Sequence, residues 1–448
     1  MITKDKNFYK LIFSIAIPIA CQNLITFAVS MADSVMVGSL GQDPLVAVSL
    51  ANQLFFVFMI LIFGLGSGGN ILVAQYWGKG DVKAIHKVMS ILYKVSIVFA
   101  MLFMAIAVLV PEQFMRIFTQ KQEIIKLGAE YLRYIFISYI FFALTNVTIN
   151  VLRSVETVKV SIIVYSASLI VNASLNWILI FGHLGAPAMG VKGAAIATTI
   201  ARIVEFLIAI GFMIFVEKKI KFKMKYFWKT DKILLRDLTV VGGPVVLNEL
   251  LWALGSSALA FIVAKMGEEV VAANNINSII WQFVSVFIMG AGSAGAVIIG
   301  NTIGAKEYER AKEYANSLIV LAVLLGIIGG VIMFAIRPYV LMLYDVPDVT
   351  KTVAMQIIGI SSFILVFQSL AFILMIGILR GGGDTKFVLV ADIIFLLFLT
   401  VPFGYVVAVI LKWPIPLVYI VLKSDEIMKV IVSLFRVKSG KWIRNVTR

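Results

Sequence analysis

The chain has 448 residues, of which 61% are hydrophobic and 14% are charged, and its mean hydropathy is +1.01. A soluble domain carries about 25% charged residues, so the composition excludes a water-soluble globular protein and indicates one that is surrounded by lipid. The net charge of +15 comes from short basic clusters between long apolar runs, which is typical of cytoplasmic loops and argues against a nucleic-acid-binding surface.

The apolar runs predict twelve transmembrane helices, since a span needs about 20 mainly apolar residues. Six runs come first, at 11–38, 46–76, 88–110, 124–153, 159–182 and 191–216. A basic linker at 217–236 separates them from six more, at 237–264, 272–303, 314–337, 350–380, 386–411 and 414–436. We therefore predict an all-α integral membrane protein with twelve transmembrane helices.

The distribution of basic residues predicts the orientation. With the N-terminus inside, the predicted inner segments hold 28 of the 39 Lys and Arg residues, and the outer segments hold about 9. This bias predicts that both termini are cytoplasmic. Only Lys94 and Arg202 are expected inside spans. The polar N-terminus runs into a full span without a cleavage site, so we expect no cleaved signal peptide.

The two halves of the chain repeat each other at an offset of 226 residues. Pro18 aligns with Pro244, Gly78 aligns with Gly304, and other glycines of the two halves coincide at the same shift. Each half holds an even number of spans, so both enter the membrane from the same side, as in a parallel repeat.

This repeat predicts two pseudo-symmetric six-helix bundles around a central cleft. The expected boundaries are an N-terminal lobe at 1–216, a cytoplasmic linker at 217–236 and a C-terminal lobe with a basic cytoplasmic tail at 237–448. Such two-lobed proteins bind substrate near the bilayer midplane and alternate between inward-open and outward-open states.

Glycine-rich stretches resemble a dinucleotide-binding motif but lie inside apolar spans, where no strand precedes them. We expect packing or hinge roles for Pro18, Gly66, Pro244 and Gly292. No nucleotide-binding P-loop is present, so transport is expected to be secondary and driven by an ion gradient.

Histidines and cysteines do not form a pattern that suits an enzyme or a metal site. The two histidines, His86 and His183, fall in predicted loops, and the single cysteine, Cys21, is expected to be a packing residue. Carboxylate pairs suited to catalysis do not appear either. The sequence therefore predicts that the protein is not an enzyme.

Four acids in predicted spans are the candidates for functional residues, because a charge at the bilayer centre costs about 2.5–3.5 kcal/mol on insertion scales. Asp33 has no basic residue within a helical turn, so it either faces a cavity, a partner or a proton path, or is a helix-end residue near the outer interface. Glu205 is expected to pair with Arg202, three residues before it. Glu249 and Asp392 remain open between functional and structural or interfacial roles.

Two carboxamides on the predicted fifth span complete the candidate site. Asn172 and Asn176 are four residues apart and therefore share one helix face. They can assist a carboxyl group, contribute oxygen ligands to a small cation, or simply hydrogen-bond between helices.

Several motifs together resemble those of the MATE (multidrug and toxic compound extrusion) transporters over nearly the whole chain. The motifs are Ala32–Gly41, Gly66–Gly78, Gly185–Thr198, Gly243–Trp252 and Leu379–Thr385. The resemblance implies an antiporter that expels organic, often cationic, compounds in exchange for H⁺ or Na⁺. It implies that Asp33 is the ion-coupling carboxylate. The family's Asn-x-x-x-Asp pair here reads Asn172-x-x-x-Asn176, so the second carboxylate is missing.

We therefore predict an H⁺- or Na⁺-coupled antiporter that exports drugs by alternating access. The predicted ion-coupling residues are Asp33, Asn172, Asn176 and Thr198, and the predicted secondary acids are Glu249, Asp392 and Glu205. We expect a monomer in a prokaryotic cell membrane, small organic substrates, and no cofactor beyond the coupling ion. The alternative is a lipid-linked precursor flippase, which would need basic residues in its cleft.

Overall fold

The computed structural model describes residues 3–226 and 231–448, and all regular secondary structure within these ranges is helical. The first half contains α1 (Lys6–Gly38), α2 (Gln42–Lys79), α3 (Val82–Leu109), α4 (Pro111–Arg116), α5 (Gln122–Ile135), α6 (Ser138–Ser154), α7 (Lys159–Phe181) and α8 (Gly190–Gly211). α8 continues into a π-helical segment at Phe212–Val216, and a 3-10 turn follows at Met224–Tyr226.

The second half contains α9 (Lys232–Lys265), α10 (Glu268–Gly304), α11 (Tyr308–Met342), α12 (Asp348–Phe372), α13 (Thr385–Asp392), α14 (Val401–Tyr405), α15 (Ile415–Val421) and α16 (Ser424–Lys438). π-helical segments at Ile373–Arg380, Ile393–Thr400 and Val406–Ile410 extend α12, α13 and α14.

Local sequence sets several helix ends. Asp81 precedes α3, and its carboxylate accepts a hydrogen bond from the Ala84 backbone N–H at 3.0 Å, as a helix N-cap does. Gly182 ends α7 in the left-handed conformation (φ of 77°), which glycine adopts without steric cost.

Ten helices of the described ranges are long and apolar enough to cross a membrane, and the pair α5–α6, bent by 52°, makes an eleventh if it is one span. These eleven correspond to the first eleven predicted runs. The twelfth run, 414–436, is divided between α15 and α16, because charged residues follow the apolar α15 and make α16 amphipathic. The predicted all-α membrane class is confirmed, and α15 and α16 together occupy the twelfth run.

The chain divides into two compact units. We call Cys21–Val73 and Asp81–Leu238 the N-terminal unit, and the remainder, which includes Ala74–Gly80 and Thr239–Arg448, the C-terminal unit. The C-terminal unit also contains the start of α1, up to Ala20. The lobe boundaries drawn from the sequence at 217–236 stay a prediction.

Each unit has its own apolar core. In the N-terminal unit, the Phe58 ring stacks on Tyr139 with a centroid distance of 5.2 Å, and Phe103 and Phe142 pack around it. In the C-terminal unit, aliphatic side chains from α9, α10, α12 and α15 form the core. These cores hold the helices that carry the polar side chains described below.

Within the C-terminal unit, the ends of α2 and α10 approach each other at backbone distance. A Cβ atom on Gly78 would overlap the Asn301 carbonyl, and a Cβ atom on Gly304 would overlap the Gln75 carbonyl. Gly78 and Gly304 are equivalent positions of the 226-residue repeat, as are Gln75 and Asn301. Both glycines are therefore needed for the close contact.

The basic C-terminal tail folds back onto the helices of its unit. Arg436 and Arg444 both pair with the buried Asp384, at 2.7 and 2.9 Å. The Trp442 side chain is fully buried, and the Arg444 backbone carbonyl accepts a hydrogen bond from the Gln75 side chain. The tail is thus a packed part of the structure.

Candidate functional site

The four predicted ion-coupling residues come together in the N-terminal unit. The Asn176 amide donates a hydrogen bond of 2.5 Å to the Asp33 carboxylate and one of 3.2 Å to the Asn172 side-chain oxygen. The Asn172 amide in turn donates to the Thr198 hydroxyl at 3.3 Å. A chain of polar groups therefore runs from α1 through α7 to α8.

Helix geometry and one glycine explain this arrangement. Asn172 and Asn176 lie on the same face of α7, and they are 1% and 0% exposed. α8 lies close beside α7, since a Cβ atom on Gly193 would be only 2.5 Å from the Leu179 carbonyl oxygen. This close approach brings Thr198 within reach of Asn172.

Asp33 itself is half-buried and forms no ion pair in the described part of the chain. The nearby cation, Arg202, is already engaged: its guanidinium donates to both carboxylate oxygens of Glu205, at 2.8 and 2.9 Å. Glu205 is 1% exposed. The predicted Arg202–Glu205 pair is confirmed, and among the described residues Asp33 has a hydrogen bond from the Asn176 amide but no ion-pair partner.

All of these groups border one cavity of about 380 Å³ within the N-terminal unit. Asp33, Asn172, Thr198, Arg202 and Glu205 line it, together with aromatic side chains that include Phe55, Phe56, Tyr131 and Tyr165. The cavity thus combines one unpaired carboxylate with flat apolar surfaces.

The C-terminal unit holds a different polar network around the other two predicted acids. Glu249 pairs with Arg380 at 2.6 Å, and Arg380 also donates to the Asn248 side-chain oxygen. The Asn248 amide donates to Asp392 at 2.6 Å, and Asp392 pairs with Lys429 at 2.7 Å. Glu249 and Asp392 are therefore linked to each other through Arg380 and Asn248.

Two cations of this network correct an expectation from the sequence. Arg380 and Lys429 are only 5% and 4% exposed. Arg380 ends the apolar helix Asp348–Arg380, so it was wrong to place only Lys94 and Arg202 inside spans. Arg380 ends an apolar run, and Lys429 belongs to the charged helix α16, so both read as loop or tail residues. The signal that could have found them is the presence of buried acids, which need cationic partners.

Comparison with known proteins decides the family. The MatE family model matches residues 18–178 and 244–406, which together make up most of the chain, and the two matches begin 226 residues apart, at the offset of the internal repeat.

The chain belongs to the MatE family.

Curated relatives of this MatE protein are named as multidrug resistance proteins. It is 29% identical over 420 residues to "Probable multidrug resistance protein NorM" of Rhizobium meliloti, covering 90% of this chain and 83% of the relative. It is 24% identical to the protein of the same name from Thermotoga maritima, over 97% of this chain and 93% of the relative. The prediction of a transporter rather than an enzyme is confirmed.

Solved structures share the fold. One, described as the outward-facing conformation of a multidrug resistance MATE family transporter, matches with a TM-score of 0.87 and 21% identity over 98% of this chain and 99% of that chain. A second, a MOP superfamily transporter from Pyrococcus furiosus, matches with the same TM-score, identity and coverage. At this level of identity the likeness shows the fold alone.

These names do not favour the alternative of a lipid-linked precursor flippase. Arg380 and Lys429 are buried cations that the sequence did not place in the cleft. Both are ion-paired with carboxylates in this MatE protein, however, and so are not free to hold a pyrophosphate.

The predicted packing positions lie inside continuous helices. Pro18 and Pro244 are within α1 and α9. A Cβ atom on Gly66 would be 2.8 Å from the Asn150 amide, and one on Gly292 would be 2.6 Å from the Phe372 ring. Gly66 therefore permits close packing of α2 on α6, and Gly292 permits close packing of α10 on α12. A hinge role for any of the four stays a prediction.

Placement of the histidines is partly corrected. His183 follows α7 in a loop, as expected, but His86 lies in α3, which begins six residues before the predicted run. Its ring is buried and hydrogen-bonds the Ile220 carbonyl at 2.9 Å. The described residues contain no group of three or more His, Cys, Asp or Glu side chains arranged to hold a metal ion.

Proposed function

We propose that this MatE protein is a cation-coupled antiporter that exports organic, often cationic, compounds by alternating access. The observation that carries the proposal is the Asp33 carboxylate, which lines a cavity, forms no ion pair in the described part of the chain and is hydrogen-bonded by Asn176. A carboxylate kept in a membrane helix without a cationic partner is typical of an ion-coupling site.

In the proposed cycle, Asp33 alternates between a charged and a neutralised state. In the charged state, the hydrogen bond from Asn176 stabilises the carboxylate, and the cavity attracts an organic cation. Binding of the coupling ion at Asp33 removes that negative charge and so weakens the attraction. The organic cation and the coupling ion therefore compete for the same carboxylate, which is the basis of exchange.

The coupling ion is H⁺ or Na⁺, and the donor set favours H⁺. A sodium ion needs several oxygen ligands, whereas the Asn176 side chain turns its amide hydrogens toward Asp33 and not its oxygen. Asp33 is also the only unpaired carboxylate that lines this cavity in the described residues. A proton needs only one carboxylate oxygen.

The remaining expectations complete the proposal. The basic inner segments support cytoplasmic termini in a prokaryotic cell membrane. We propose that the protein acts as a monomer on small organic substrates and requires no cofactor besides the coupling ion.

The test uses purified protein in liposomes with separately imposed pH and Na⁺ gradients and a fluorescent organic cation as substrate. We expect the pH gradient to drive transport and the Asp33→Asn variant, which keeps the side-chain shape, to fall to the level of empty liposomes. Glu123→Gln, an exposed acid at the start of α5, is the matched control and should transport normally.

Transport driven by Na⁺ alone would reassign the coupling ion. Full transport by Asp33→Asn would refute the role of Asp33, and failure of both gradients to drive any transport would refute antiport.

A further inference from the structure

The C-terminal unit contains a second cavity of about 420 Å³, bordered by helices α9, α10, α12, α15 and α16. Two indole rings, Trp252 and Trp281, line it. The Trp281 ring is held in place because its N–H donates to the Gln368 side-chain oxygen at 3.0 Å. The cavity therefore offers flat aromatic surface on which a planar ligand can stack.

Two buried polar side chains in this cavity have capacity for a ligand. The Asn277 amide donates to the Tyr419 hydroxyl at 2.8 Å, but the Asn277 oxygen has no hydrogen-bond partner among the described residues. The Ser361 hydroxyl likewise lacks a partner there. Both side chains are only 5% exposed. A buried acceptor without a donor is costly, and a ligand N–H group would satisfy it.

Charge in this region favours a cation. Glu426 lines the cavity and forms no ion pair or side-chain hydrogen bond in the described ranges. Its neighbour Asp425 differs, because Lys429 binds it at 2.8 Å. Lys423 also lines the cavity, but no carboxylate of the described residues lies within ion-pair distance of it. Lys423 therefore does not form an ion pair with Glu426.

The net charge of the wider polar network also favours a cationic ligand. Four carboxylates (Glu249, Asp392, Asp425 and Glu426) face three cations (Arg380, Lys423 and Lys429), which leaves one negative charge. Glu249 pairs with Arg380, and Asp392 and Asp425 share Lys429, whereas Glu426 has no ion-pair partner among the described residues and is therefore the carboxylate open to a ligand cation.

We propose that this cavity binds a protonated primary or secondary amine that is attached to a flat ring. The ammonium pairs with Glu426, its N–H groups donate to the free acceptors, and the ring lies against the tryptophans. A quaternary ammonium carries the same charge but has no N–H donor, so it leaves the Asn277 oxygen buried and unpaired. The cavity therefore selects N–H-bearing cations over quaternary ones.

The proposed amine is one class of the organic cations in the proposed function, so its role as a transported substrate rests on that function. Binding to this cavity, however, needs neither Asp33 nor an ion gradient. The experiment is isothermal titration calorimetry of the purified full-length protein with benzylammonium and with benzyltrimethylammonium. The two probes share one ring and one charge and differ in N–H donors. We expect benzylammonium to bind at least about ten-fold more tightly, the effect of one charge-assisted hydrogen bond.

Three variants assign the preference to the cavity. Glu426→Gln should weaken benzylammonium binding at least about ten-fold. Ser361→Ala should reduce the preference for benzylammonium over benzyltrimethylammonium. It should not harm the fold, since the hydroxyl that it removes makes no hydrogen bond in the described chain. Glu268→Gln, an exposed acid on the helix that carries Asn277, is the matched control and should leave both affinities unchanged.

Equal affinity for the two probes, no binding of either, wild-type affinity of Glu426→Gln for benzylammonium, or an unchanged preference in Ser361→Ala would each overturn the proposal. A protein that binds benzylammonium as described but shows no gradient-driven transport would refute the antiport and leave this inference standing. Driven transport with no preference for N–H-bearing cations would refute this inference alone.

Discussion

Removal of the Glu205 carboxylate should both destabilise the N-terminal unit and disable coupling. In Glu205→Gln, the Arg202 guanidinium loses both of its hydrogen-bonded oxygens, at 2.8 and 2.9 Å, while it remains largely buried. Asp33 borders the same cavity and then becomes the available carboxylate for Arg202. An arginine that neutralises Asp33 would occupy the proposed ion site permanently.

The magnitude follows from the geometry. Opposite charges 2.8 Å apart attract by about 6 kcal/mol at an effective dielectric constant of about 20, before the cost of desolvation. Loss of one partner of a buried pair lowers the free energy of unfolding by about 3–5 kcal/mol. Because Arg202 is 16% exposed and can turn toward Asp33, we expect the lower end, about 3 kcal/mol.

The assay measures the free energy of unfolding by titration with sodium dodecyl sulfate, together with transport in liposomes. Arg133→Gln, which breaks an exposed pair with Glu112 in the same unit, is the control and should cost at most about 1 kcal/mol. The double variant Arg202→Met/Glu205→Leu should recover most of the lost stability, since it leaves no buried charge alone. A Glu205→Gln protein with unchanged stability and full transport would refute the reasoning.

Two further predictions concern other ion pairs. Lys429→Met leaves Asp392 and Asp425 buried without their shared cation, so the free energy of unfolding should fall by about 3–5 kcal/mol in the same titration, and an unaltered value would show that the network is not structurally important. The hydrogen bond from Lys87 lowers the pKa of Asp231, so this pair stabilises the folded state above the ordinary aspartate pKa and loses its contribution as the pH falls through the lowered value. Because both side chains are partly exposed, wild type should lose no more than about 1 kcal/mol relative to Asp231→Asn between pH 5 and pH 3, and parallel pH profiles of the two proteins would contradict this assignment.

Much of the N-terminal unit could be predicted because its interactions are local or depend on helix periodicity. Asn172 and Asn176 are one turn apart, as are Arg202 and Glu205, so spacing alone places each pair together. Asp33 was identifiable because no cation lies within a helical turn of it. Its contact with Asn176, 143 residues away, came from the family resemblance and not from spacing.

The network of the C-terminal unit could not be predicted for the opposite reason. The contacts that connect its parts join residues more than 130 positions apart, namely Asn248 with Asp392 and Arg380 with Asn248 and Glu249. Hydropathy also misleads at α16, where charged residues that pack inside the unit resemble those of a solvated tail. Pairings of this kind depend on tertiary packing, which single-sequence periodicity does not encode.

The glycine contact between α2 and α10 has a consequence for how the chain arose and how it can change. Gly78 meets Asn301 and Gly304 meets Gln75, so the contact is self-complementary under exchange of the two halves. Two separate copies of a six-helix protein, related by a two-fold axis, would touch each other in this way. In such a dimer every substitution appears twice, whereas fusion into one chain allows the two halves to acquire different polar networks, as they do here around Asp33 and around Asp392.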